Sequence, residues 1–242
     1  MLVVGFDTAT PAVSVALHDG ERVVSEAFAL DARRHSELLT PMIAKVMADA
    51  GAARGDLTAV AVGVGPGPYT GLRVGVVTAR VLGSVLGLPV YGVCSLDVIA
   101  AASAAGSEFL VATDARRREV YWARYDASGR RLEGPAVGRA DSIPGAGELT
   151  VAGAGGPLYP EAFGPLIAPL YPDARTLCEI VAVRPSGAVR PSGAVRPSGA
   201  VRPSGAVRPS GAARPPLLPA EPLYLRRPDA REPGPPKRVT PP

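Results

Sequence analysis

Asp7, Thr8 and Thr10 stand at the end of an apolar stretch that begins at Leu2, an acid and two hydroxyls in the order DTAT. A turn of this composition can face a phosphate or its hydrated magnesium, because the amides of such a turn point outward and a carboxylate can hold a metal-bound water. The same residues also suit an Asx-type turn in which Asp7 caps its own backbone. Further on, GVGPGPYTGLRVG from Gly63 to Gly75 sets Gly65, Gly67 and Gly71 among Pro66 and Pro68, ahead of a helix whose predicted N-cap is Thr70. Amides free of a strand ladder and a helix start suit an anion. The stretch has neither the GK[ST] of a P-loop nor GxGxxG, and a tight strand-to-helix connection accounts for it equally well.

The helix after this loop repeats small residues at every fourth position: Gly75, Ala79, Gly83 and Gly87. Such a stripe lets another backbone approach closely. Each glycine costs roughly 1 kcal/mol in a helix interior, so packing must compensate. Val74, Val77, Val81 and Leu82 add apolar surface elsewhere on the cylinder. The earlier run from Ser36 to Ala50 carries Leu38, Leu39, Met42, Ile43, Val46 and Met47 at helical spacing. Together the two helices predict more apolar area than one sheet face needs, and hence a protein interface.

Other chemistry finds little support. Ser36 and Ser95 lack a GxSxG setting, and Asp7, Asp97, Asp114 and Glu119 form no local paired motif. The two histidines, His18 and His35, are isolated, with no HxxxH or HExxH, and Cys94 and Cys178 fit no zinc or disulfide spacing. The sequence therefore predicts no metal and buried, reduced cysteines. Tyr121, Trp122 and Tyr125 beside Arg116, Arg117 and Arg118 fit either an RNA-stacking strand or an ordinary half-buried one.

Elements that would position these groups alternate along the chain. Leu2–Phe6, Ala12–Leu17 and Arg22–Phe28 read as strands, Ser36–Ala50 as a helix, and Thr58–Val64, a helix over 71–86 and Pro89–Val93 as a βαβ unit. A second helical run follows Ser95. Phe109–Thr113, Val120–Tyr125 and Leu149–Ala154 read as strands of a weaker second region, and Thr176–Val181 as a final helix. Five perfect copies of AVRPSG then run from Ala182 to Gly211. A proline in every sixth position blocks helix and central strand and predicts a mobile, polyproline-like loop. Without the six arginines from Arg184 to Arg214 the net charge of +4 becomes −2, so the basicity belongs to that segment. Prolines and arginines interrupt the longest apolar region, from Ala59 to Val93, and the first residues lack a secretory pattern. The expectation is a cytoplasmic chain with no membrane partner.

The segments GFDTATPAVSVAL, RRHSELLTPMI, GPGPYTGLRVG, CSLD, DARRREVYWARY and PLYLRRPDA, in this order, resemble the TsaB family, also called YeaZ. Gly65 to Arg73 is similar to the family's GPGSFTGLR with Pro68 and Tyr69 substituted, and the array is a departure from the pattern. The resemblance implies an α/β fold of the actin, Hsp70 and sugar-kinase superfamily, ribonuclease-H-like, with a complete N-terminal half and a reduced second half. It implies a division into 1–105, 106–181, the repeat loop 182–215 and a returning segment 216–242. It further implies a non-catalytic partner of TsaD, the enzyme that transfers threonylcarbamoyl to the adenosine beside the anticodon of tRNA, with recruitment of the ATPase TsaE. The implied interface comprises His35, Leu38, Leu39, Met42, Val46, Gly75, Ala79, Leu82 and Gly83. Asp7, Thr8, Thr10, Gly65, Gly67, Thr70 and Gly71 are the implied contacts to ATP or ADP at the subunit junction, and a homodimer is expected when TsaD is absent. TsaD's metal-binding histidine pair has no counterpart here. That weighs against a metallopeptidase, and leaves a stand-alone small-molecule kinase and a basic RNA-binding module as alternatives.

Overall fold

Short apolar runs punctuated by glycine build the first sheet. β1 (Val3–Asp7) pairs antiparallel with β2 (Ala12–His18), Asp7 lying opposite Ser14, and β2 pairs with β3 (Val23–Leu30). The chain then crosses through α1 (His35–Asp49) to β4 (Ala59–Gly63), parallel to β1, and through α2 (Tyr69–Leu86) to β5 (Val90–Val93), parallel to β4. The sheet order is β3-β2-β1-β4-β5. The computed structural model describes residues 1–182 and 213–226; the repeat array, which the sequence predicts to be a mobile loop, lies outside the described residues.

β1, β2 and β4 are buried on both faces, which is why apolar residues fill inward and outward positions alike instead of alternating with polar ones, Asp7, Ser14 and His18 apart. Val4, Phe6 and Val62 meet Leu39, Val46 and Leu72 of the two crossover helices on one face. Val3 and Ala61 meet Leu177, Cys178 and Ile180 on the other. Each fully buried side chain of the size of Phe6, Leu39 or Leu72 contributes about 1.5–3 kcal/mol. α2 ends as a helix should, at Gly87 with φ of 65°, where Leu88 donates its N–H to the Gly83 carbonyl at 2.9 Å.

After α3 (Ser95–Ala102) the same plan recurs. β6 (Phe109–Asp114), β7 (Val120–Tyr125) and β8 (Arg131–Gly138) form an antiparallel meander, followed by β9 (Thr150–Ala152), α4 (Gly155–Leu158) and β10 (Leu166–Ile167). β9 runs parallel to β6 and β10 to β9, giving the order β10-β9-β6-β7-β8. Read from its first strand outward, this order matches that of the first sheet. The fold is the expected α/β, actin-like arrangement. Its second half has all five strands, but β9, β10 and α4 shrink to three, two and four residues. β8 and β10 carry too weak an alternation to be read from sequence.

The halves exchange their last helices. α3 packs against Phe109, Val111 and Tyr125 of the second sheet. α5 (Ala174–Ala182) returns to cover β1, β2 and β4 of the first, lying so close that a Cβ at Gly5 would collide with Cys178 Sγ. Residues 213–226 form a strap along the edge of β5: Gly92 and Leu218 exchange backbone hydrogen bonds at 2.9 and 2.8 Å. Gly92 has to lack a side chain here, because a Cβ would meet the Leu218 and Pro219 carbonyls.

Candidate functional site: a sealed aspartate turn and an exposed valine ridge

At the C-terminal end of β1 the chain turns through Thr8, Ala9 and Thr10, all buried. Asp7 accepts the Ala9 N–H at 2.7 Å and the Ser95 hydroxyl at 2.6 Å. Ser95, at the start of α3, in turn accepts the Gly65 N–H at 3.2 Å, and its own N–H donates to the Gly65 carbonyl at 2.7 Å. One serine thus ties the aspartate to the glycine loop. Burial raises the Asp7 carboxyl above its ordinary range, an effect that the Ser95 hydroxyl and the Ala9 N–H partly offset. Thr8 Oγ1 donates to the Gly71 carbonyl at 2.8 Å, and His35 Nε2 donates to the Thr10 carbonyl at 2.7 Å. The loop therefore lies directly on the turn. A Cβ at Gly63 would strike the Asp7 carboxylate, one at Gly67 the Ala9 carbonyl, and one at Gly71 the Thr8 carbonyl at 2.6 Å.

Asp7, Thr8, Thr10, Gly65, Gly67 and Gly71 are consequently gathered as the sequence suggests, but packed against one another. Thr70 alone of the seven is exposed, and it is not the N-cap: α2 starts one residue earlier, at Tyr69, after Pro68. Among the described residues no three His, Cys, Asp or Glu side chains stand together as a metal-ligand set.

The predicted interface residues are divided differently. His35, Leu39, Met42, Val46, Gly75, Ala79 and Gly83 face the chain's own core, while Leu38 and Leu82 are half-buried. The glycine stripe is explained by internal close approach: a Cβ at Gly75 would meet Thr8 Oγ1, and one at Gly83 the Val90 side chain and the Leu88 carbonyl. The outer surface of α2 is instead a ridge at every fourth position, Tyr69, Arg73, Val77, Val81 and Val85. Its three valines are 51%, 54% and 76% exposed. A row of β-branched residues at i, i+4 and i+8 was the available signal. At its N-terminal end the strap supplies Tyr224, stacked on Tyr69 at 5.1 Å, with the Arg73 guanidinium 4.9 Å from the Tyr69 ring centre. Leu223 N–H donates to the Val64 carbonyl at 2.8 Å, so the strap also holds the glycine loop.

The aromatic strand of the second sheet does not present stacking surfaces: Tyr121, Trp122 and Tyr125 are all buried. Tyr125 donates to Asp97 Oδ1 at 2.8 Å, and Arg131 stands 3.6 Å from Asp97 Oδ2. Burial raises the Asp97 carboxyl and pushes the neighbouring Cys94 thiol up to about 12, so this thiol stays protonated; Cys178 is likewise free and buried. The cluster ties α3 to the second sheet. Before β7, Arg116, Arg117 and Arg118 form a turn with φ of 61°, 56° and 63°. Such left-handed geometry costs a non-glycine residue roughly 1–2 kcal/mol.

Residues 27–154 match the family model described as TsaD, tRNA N6-adenosine threonylcarbamoyltransferase. The chain is 44% identical to Rv3421c of Mycobacterium tuberculosis over 239 residues, 95% of this chain and 93% of that one. It is 42% identical to ML0378 of Mycobacterium leprae, of which it spans only 56%. Against the Escherichia coli tRNA threonylcarbamoyladenosine biosynthesis protein TsaB it is 39% identical over 129 residues, 52% of this chain and 55% of that protein. The structure of YeaZ from Pseudomonas aeruginosa superposes with a TM-score of 0.62 at 31% identity, covering 73% of this chain and 88% of that one. With the sheet order and the glycine loop already in place, these likenesses establish that the chain belongs to the TsaB (YeaZ) family.

Proposed function

We propose that this chain is a non-catalytic scaffold subunit in tRNA threonylcarbamoyladenosine biosynthesis, binding the catalytic paralogue TsaD and, through it, TsaE. The exposed ridge of Val77, Val81 and Val85 carries this reading, since a row of bare valines on a long surface helix is apolar area that a partner would cover. α2 contains Arg73 and Arg80 and no acid, so the facing surface should combine apolar side chains with carboxylates. Contact with tRNA is indirect, through the complex, and the same ridge supports a homodimer when TsaD is absent. No helix among the described residues is long and apolar enough to cross a membrane. The proposed role in tRNA modification would place the assembly in the cytoplasm.

The sealed turn supports a chain with no nucleotide of its own. ATP or ADP would lie at the subunit junction, near the exposed Thr70, rather than on Asp7. A stand-alone kinase would have to lift the glycine loop off Ala9 before a phosphate could reach the carboxylate. The deciding experiment is co-purification with TsaD from the same cell, comparing wild type with Val81→Asp. That substitution is on the surface and should alter stability by no more than about 0.5 kcal/mol. The complex is expected to be lost in the folded variant. Absence of a wild-type complex, together with ATP turnover by the chain alone, would overturn the scaffold in favour of the kinase.

A further inference from the structure

Two stacked aromatic pairs of this chain have nearly the same geometry and opposite surroundings. Phe109 and Tyr125 lie 5.5 Å apart at 25° inside the second half, and both are buried. Tyr69, the first residue of α2, and Tyr224 of the strap lie 5.1 Å apart at 26°, yet they are 45% and 42% exposed. Burial alone accounts for the core pair. The surface pair leaves large aromatic area in water while its rings are already held still. Tyr69 accepts a hydrogen bond from Arg73 at 2.8 Å, and the Arg73 guanidinium stands 4.9 Å from its ring centre. Tyr224 is fixed from both sides, by the Leu223 N–H on the Val64 carbonyl at 2.8 Å and by the Arg226 guanidinium on the Ala115 carbonyl at 2.9 Å.

Rings fixed before a partner arrives lose little entropy on docking, and Tyr and Arg are enriched among the few residues that carry an interface. The pair also stands in line with the valine ridge, since Tyr69, Arg73, Val77, Val81 and Val85 follow one another at every fourth position of α2. Arg73 is exposed and the first turn of α2 contains no acid, so the guanidinium and the positive helix end both favour an anion here. We propose that Tyr224 of the strap, stacked on Tyr69, joins Arg73 as the aromatic head of the docking surface, and that TsaD meets it with a carboxylate set among apolar side chains. The docking surface then draws on two distant segments, α2 and the strap that follows the repeat array. The choice of TsaD rests on the proposed scaffold role; the fixed, exposed rings do not depend on it.

The test uses the full chain and purified TsaD from the same cell. Hydroxyl-radical labelling with peptide mass spectrometry reads the rings directly, on a chain diluted until light scattering shows a monomer. Tyr69 and Tyr224 should label readily in the free chain and slow toward the rate of the buried Tyr125 when TsaD is added. Tyr224→Ala should weaken TsaD binding at least about ten-fold, while Tyr224→Phe, which keeps the stack, should stay within about three-fold of wild type. Arg73→Gln should weaken binding and reduce its sensitivity to salt between about 50 and 500 mM. Each variant is checked by thermal unfolding, and should Tyr224→Ala disturb folding, the labelling of wild type still decides. Labelling of both rings unchanged by TsaD, in a complex that Val81→Asp abolishes, would overturn this inference and leave the scaffold reading standing. Absence of any wild-type complex would overturn both. Protection that arises on concentrating the chain alone, and does not deepen with TsaD, would seat a second copy on the pair and overturn the choice of TsaD.

Discussion

The two halves place a turn at the same point of the same plan, after the first strand of each sheet, and use it in opposite ways. Asp7 and Asp114 both end a first strand, yet the residues after Asp7 are sealed beneath a glycine loop while those after Asp114 stand in solvent as three left-handed arginines. The difference lies in the second crossover of each half. In the first, Gly63 to Gly71 leads into an 18-residue helix and drops onto the turn; in the second, α4 has four residues and the loop before it is short. A turn covered by backbone can keep an aspartate buried only if every neighbour is small. The second turn is held from below by Asp114 and from the strap by Arg226, and its three arginines stay exposed.

The largest effect expected from breaking this contrast is at Gly63. A methyl group there would overlap the Asp7 carboxylate, which Ser95 Oγ, 3.0 Å from the added methyl, holds by a hydrogen bond, so neither the strand nor the acid can yield cheaply. Gly63→Ala should destabilise the chain by roughly 3 kcal/mol or more, in the range of core overpacking combined with a broken buried network. Gly147→Ala, with nothing within 4 Å of its added methyl, is the control and should stay within about 0.5 kcal/mol. Denaturant unfolding of the pair measures both. Equal stabilities would mean that the loop is not seated on the turn.

Much of this was legible in residue order, and the part that was not has a physical cause. The hairpin and βαβ unit of the first half declare themselves because Val60 and Val62, or Val4 and Phe6, sit in runs apolar enough to be buried on both faces. β8 and β10 are edge strands of the second sheet, where one side meets water and composition constrains little. The site residues around Asp7 were legible as a group, but their closure was not. It depends on Ser95, 88 positions away in sequence from its partner Asp7, and on a strap that reaches Val64 from Leu223. The glycine stripe misled in direction. Spacing identifies a helix face that needs close approach, but the neighbour it approaches, here Thr8 and Val90 of the same chain, is set by tertiary packing.

A smaller effect concerns the charge of the sealed turn. Burial holds the Asp7 pKa above its ordinary value of 3.8, so the folded state binds a proton that the unfolded state has already released. The stability associated with that proton is fully present below 3.8 and is lost as pH rises through the folded-state value. Asp7→Asn cannot ionise and should therefore gain on wild type as pH increases across that window, by at most about 1.4 kcal/mol per pH unit. Unfolding free energies of both chains over this range test the sign. A flat difference would mean that Asp7 is not sealed from water.

The smallest effect, and the sharpest form of the comparison, is one substitution type made in both turns. At Arg118 glycine removes left-handed crowding worth roughly 1–2 kcal/mol and adds unfolded-state entropy worth roughly 0.5–1 kcal/mol. Arg118→Gly should then be neutral or stabilise by up to about 1.5 kcal/mol. At Ala9, which is buried and has no positive φ, glycine relieves nothing. It adds the same entropy to the unfolded chain and removes a buried methyl worth about 0.8 kcal/mol, so Ala9→Gly should destabilise by roughly 1–2 kcal/mol. Opposite signs in thermal unfolding would confirm that the two turns carry strain in one half and packing in the other. The same sign at both would show that the arginine turn relaxes in solution and stores no strain.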